Sequence, residues 1–143
     1  MKIKHILLFL LAFYLIGCSG GDSDELTPIT LDQRNAFTEI CAQTTSLTCA
    51  DIAVDYKNLP SDVAAQAYMT NLGSLGIWFN EADKPFSKSH MKGLYVHELS
   101  HLVIFREDPT LPKHGERFRE VCRGIANKVN VDVKEYCENE RSH

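Results

Sequence analysis

The sequence predicts an α+β domain, a small, mainly antiparallel sheet packed on a central helix, with a second helix following it. Three observations lead there. Short stretches in the first half of the chain carry the period-2 alternation of strands, a longer stretch after them has helical period and is apolar on most faces, and a second amphipathic stretch follows across a proline-bounded loop. At 143 residues the chain has a single-domain length.

Its start reads as a processing signal. Met1-Lys2-Ile3-Lys4-His5 is basic, and an apolar run of 11 residues follows from Ile6 to Ile16. A helix needs about 20 such residues to cross a hydrocarbon core, so the run suits the apolar part of a signal peptide. Leu15-Ile16-Gly17-Cys18 resembles the lipobox of bacterial lipoproteins. That resemblance implies cleavage before Cys18, acylation of its side chain and attachment to a membrane in the cell envelope. In enteric bacteria Ser19 after the cysteine, rather than Asp, implies the outer membrane, facing the periplasm or the cell surface. Ser19 to Thr30 is rich in Ser, Gly and Asp, a tether's composition. The expected organisation is a signal peptide over 1–17, a lipidated tether over 18–30 and the folded domain over 31–143.

Leu31 to Ala42 has an apolar pattern that fits an amphipathic helix. Asp51 to Tyr56 alternates, with Ile52, Val54 and Tyr56 on one face of a strand. Pro60-Ser61-Asp62 is a turn signal. Val63 to Asn71 reads either as a helix capped by Ser61 or as the first arm of a hairpin. The hairpin is preferred, with its turn over Asn71 to Gly76 and its second arm over Leu75 to Asn80. From Ser87 to Phe105, Met91, Leu94, Tyr95, Leu99, Leu102 and Val103 recur at spacings of three and four. Val96, Ile104 and Phe105 add apolar surface on other faces, so this helix is expected to be buried on most sides. Asp108-Pro109 ends it. A last long helix is expected from Gly115 to Val129, and a short one over Asp132 to Glu138 would bring Cys137 back towards Cys122.

Once residues 1–17 are removed, 13 basic side chains face 19 acidic ones, a formal charge of −6. Such a surface repels phosphates, which argues against a nucleic-acid partner. Apart from Cys18 the cysteines are Cys41, Cys49, Cys122 and Cys137, an even number that favours disulfides in an exported protein. Four cysteines allow three connectivities, and the local pairs Cys41–Cys49 and Cys122–Cys137 are the expectation. A zinc site made of the four is disfavoured, since they form no Cys-x-x-Cys pair.

The central helix contains His97-Glu98-Leu99-Ser100-His101, an H-E-x-x-H sequence. Four residues advance a helix by about 400°, so the two imidazoles project from one face and can bind one zinc ion. Glu98 then stands beside the metal, placed to take a proton from water and return it to a leaving amine. A catalytic zinc site needs a third protein ligand and an open position. The metzincin extension would require Gly at position 104 and His at position 107, where this chain has Ile104 and Glu107. Glu116 or Glu120 would serve a thermolysin-like arrangement, and His114 is the remaining candidate.

His114-Gly115-Glu116-Arg117-Phe118 resembles the H-G-x-x-F segment that follows H-E-x-x-H in SprT-like metallopeptidases. The resemblance covers Ile52 to Val129 in element order, and only the two short motifs are specific. It implies a zincin-type catalytic helix followed by a second ligand-bearing helix, His114 as third zinc ligand, Phe118 packed behind it, and one Zn2+ per chain. The chain departs from the family's nuclear and cytosolic members in its export signal, its acidic balance and its lack of a cysteine-rich zinc ribbon. Their association with nucleic acid is therefore not carried over.

Tyr95, His90, Arg106 and Arg117 lie near the motifs as possible oxyanion donors, and nothing in the sequence selects one. Trp78 reads first as core. Were the second hairpin arm an exposed edge, an extended peptide could add to it as a strand. Two functions fit these residues. One is a zinc endopeptidase acting on a protein or peptide substrate in the cell envelope, with Glu98 as general base. The other is a lipid-anchored binding protein whose metal site is structural or silent, and the presence of Glu98 favours the first.

Overall fold

A computed structural model describes residues 25–139. The signal peptide, Cys18 and most of the expected tether lie outside the described residues. The fold is α+β, with a four-stranded sheet in the order β1-β2-β4-β3 and its helices arranged around one core. The strands are β1 (Thr27–Pro28), β2 (Ala53–Lys57), β3 (Ala65–Met69) and β4 (Leu75–Asn80). The helices are α1 (Leu31–Thr44), α2 (Lys88–Glu107), α3 (Glu116–Val129) and α4 (Val133–Tyr136).

The expected hairpin forms, with β3 and β4 antiparallel and Ala67 opposite Ile77. The sheet as a whole is mixed. β1 and β2 are antiparallel, while β2 and β4 run parallel with Val54 opposite Ile77. This arrangement makes β4 an interior strand, and its burial along nearly its whole length is the pattern of a strand covered on both sides. The edge beside it is therefore β3, so the second hairpin arm is an interior strand and the first arm is the edge. Ahead of α1, Thr27 and Pro28 of β1 pair with Tyr56 and Asp55. An edge strand tolerates Pro28 because its missing N–H need not meet a partner.

Parallel pairing of β2 with β4 requires the chain to cross over and come back, and Asn80 holds that crossover. Its buried side-chain amide donates to the carbonyls of Pro60 and Val63 at 3.1 and 2.9 Å. On one face of β2, Val54 and Tyr56 are buried in the core, as is Ile52 just before the strand, in keeping with their alternation. On the other face Trp78 is half-buried, stacked on Tyr68 at 4.1 Å between ring centroids, with the Lys57 ammonium 4.3 Å from its ring.

α2 is the central element. Ser87 caps it, accepting from the His90 N–H, and every residue from Gly93 to Leu102 is buried. Tyr95 packs edge-on against Phe37 of α1 and Phe79 of β4, which joins helix, helix and sheet. α3 follows its N-cap Gly115 and turns Phe118, Cys122, Ile125, Ala126 and Val129 inward. Disulfides join Cys41 to Cys49 and Cys122 to Cys137, the two local pairs.

Candidate metal centre

His97 and His101 stand one turn apart on α2, and His114 reaches them from the loop just ahead of α3. Their Nε2 atoms form a near-equilateral triangle. His97 lies 3.1 Å from His101 and 3.2 Å from His114, and His101 lies 3.1 Å from His114. A tetrahedral ion with Zn–N bonds of ~2.0–2.1 Å separates its ligand nitrogens by about 3.3 Å, so the triangle has the size of one face of such a tetrahedron. The chemistry of the donors agrees with the spacing. His97 Nδ1 is 2.6 Å from the carbonyl oxygen of Tyr136, which can only accept, so the proton sits on Nδ1. The Nε2 lone pair of a neutral His97 therefore points into the triangle. The three histidines can hold a metal ion.

Phe118 supports all three rings. Its centroid is 4.8 Å from that of His97, 4.5 Å from His101 and 5.0 Å from His114, and it is only 1% exposed. His97 and His101 are buried, whereas His114 is partly exposed, so the site reaches solvent on the His114 side. Arg119 donates to the His114 carbonyl at 3.0 Å and ties that loop to the first turns of α3. The two glutamates considered as alternative ligands do not join the group. Glu120 is paired at the surface with Arg117, 2.9 Å away, and Glu116 lies in the first turn of α3.

Glu98 is fully buried beside the first ligand. Its Oε2 accepts the Ala67 N–H at 2.7 Å, a bond from the edge strand β3 to α2 that no sequence signal announces. Burial pushes its carboxyl up to about 8, and the Ala67 N–H opposes that rise. The possible oxyanion donors are mostly engaged elsewhere. Tyr95 donates from its buried hydroxyl to the Gln33 carbonyl at 3.0 Å, Arg117 is held by Glu107 and Glu120, and His90 Nδ1 meets the Tyr136 hydroxyl at 2.9 Å. Arg106 lies in the last turn of α2.

The site thus unites His97, His101, His114 and Phe118 from motifs readable in the sequence. It adds two backbone groups, the Tyr136 carbonyl and the Ala67 N–H, which have no sequence signature because nearly every residue carries them. No model of a protein family matches the chain, and no curated protein matches it.

Proposed function

We propose that the protein is a zinc-dependent endopeptidase of the cell envelope, similar in its catalytic core to SprT-like metallopeptidases and held to a membrane by a lipid on Cys18. The observation that carries this reading is the convergence of three imidazole nitrogens beside a buried glutamate on the same helix. Three histidines with a solvent-facing side make a donor set of the catalytic kind, since a structural zinc site closes with four protein ligands. Zinc bound there would supply Lewis acidity to a scissile carbonyl and acidify a water molecule.

The chain's own residues would do the rest. His97, His101 and His114 hold the ion, and Phe118 keeps their rings in place. The Glu98 carboxylate takes a proton from the attacking water and delivers it to the leaving amine. The bond from Ala67 to Glu98 brings the outer edge of β3 beside the general base. An extended substrate peptide adding to that edge as a further strand would pass Glu98. Two disulfides suit an oxidising compartment, and among the described residues no helix is long and apolar enough to cross a membrane.

The deciding experiment measures zinc content and casein cleavage for the full chain purified in detergent, wild type beside Glu98→Gln and His114→Ala. Wild type and Glu98→Gln should carry one zinc each, His114→Ala should lose it on dialysis, and only the wild type should cleave. Zinc without cleavage would favour the silent binding protein. A folded wild type that binds no zinc would end the metallopeptidase reading.

A further inference from the structure

We propose that Tyr136 is a positioning residue of the metal centre, its backbone carbonyl fixing the His97 imidazole, with the Cys122–Cys137 bridge holding that carbonyl in place. This rests on the metal-binding reading of the three histidines. The orientation of His97 is set by a partner outside its own helix. The 2.6 Å contact between its Nδ1 and the Tyr136 oxygen is buried, and it leaves Nε2 as the metal-facing atom. Loss of the carbonyl would free the ring to rotate or to protonate Nε2, and either change removes a ligand.

The segment that supplies this carbonyl has little stability of its own. α4 is a single turn of four residues, far below the length at which an isolated helix persists. Contacts with the rest of the molecule hold it. Cys137, the residue after Tyr136, is bridged to Cys122 of α3, and Cys122 Sγ lies 3.7 Å from the Tyr136 oxygen. The Tyr136 ring lies against α2 at Gly93, where an added Cβ would come within 2.2 Å of Cζ and 2.4 Å of Cε1. The Tyr136 hydroxyl meets His90 Nδ1 at 2.9 Å. Cys122 belongs to α3, which begins two residues after His114. The bridge therefore couples the support of one ligand to the helix that follows another.

The test compares zinc affinity, by competition with a chromogenic chelator, for the full chain in detergent as wild type, Cys122→Ala/Cys137→Ala and Cys41→Ala/Cys49→Ala. The first pair should bind zinc about 10–100-fold more weakly, the range expected when a ligand loses its orienting partner, whereas the second pair should match the wild type. Equal affinity in both variants would overturn the proposal and leave the metal site standing. Should Cys122→Ala/Cys137→Ala fail to fold, long-range 1H–15N spectra of the chelated wild type decide instead. A His97 ring protonated on Nδ1 supports the proposal, and one protonated on Nε2 overturns it. A wild type without zinc affinity fails the metal reading itself, whatever the bridge does.

Discussion

Phe118 is the residue on which the geometry of the centre depends most directly after the ligands themselves. Three imidazoles from two parts of the chain lie on its one ring, and none of them can shift without losing that contact. Replacing it by Ala should have two separable effects. The chelated protein should lose about 3–5 kcal/mol of stability in urea unfolding, the usual cost of deleting a buried aromatic ring. The zinc-loaded protein should lose more, because the three rings then sample wider arrangements and the affinity falls with them. Equal losses with and without zinc would show that Phe118 serves only the core. Phe118→Leu, which fills most of the same space, should recover much of the stability and less of the affinity.

At the scale of elements, the crossover that puts β4 between β2 and β3 depends on Asn80. Its side chain reaches back to carbonyls of the loop between β2 and β3, and the residue is fully buried. Asn80→Ala would take the amide donor from both carbonyls, leaving Pro60 only the bond from the Val63 N–H, and should cost about 2–3 kcal/mol, read as a lower urea midpoint at unchanged slope. The outer face of the sheet gives a second prediction. A Cβ at Gly76 would fall 2.1 Å from Tyr68 Cζ, so Gly76→Ala must push Tyr68 off Trp78. Trp78 is the chain's one tryptophan, so its fluorescence should change on that substitution and should not change further in Gly76→Ala/Tyr68→Ala. These two residues also show what the sequence can and cannot tell. The hairpin is legible from a turn-forming run between two apolar arms, and α2 from its spacing. The parallel partner of β4 is not, because strand order depends on contacts distant in sequence, although the near-continuous apolar run of Leu75, Gly76, Ile77 and Phe79 hints at an interior strand. β1 is hidden for a different reason. Two residues, one of them the strand-disfavoured Pro28, are too short a run to show alternation, and their pairing with β2 is imposed from outside. In the metal centre, ligands announce themselves by residue type and spacing, while the carbonyl that aims His97 is a backbone atom.

For the molecule as a whole, a domain of this size buries limited apolar surface, so its cross-links and its metal should carry a visible share of the stability. The two disulfides close loops with sequence separations of 8 and 15 residues. In the chain-entropy account these loops differ by only about 0.5 kcal/mol, around values of roughly 2.5–3 kcal/mol. Without zinc, then, removing either bridge should destabilise the protein to nearly the same degree. Zinc breaks that symmetry. Free zinc at about 1,000 times its Kd stabilises the native state by about 4 kcal/mol. In a domain of this length that shifts Tm by more than about 10 °C. Chelation of the wild type should therefore lower Tm by that order, Glu98→Gln should respond like the wild type, and His114→Ala should be nearly indifferent to chelator. Calorimetry with and without chelator checks all three. A wild-type Tm that ignores chelation, in a protein shown to contain zinc, would mean that the ion sits where it contributes nothing to the native state, and a site joining α2 to the loop ahead of α3 could not behave that way.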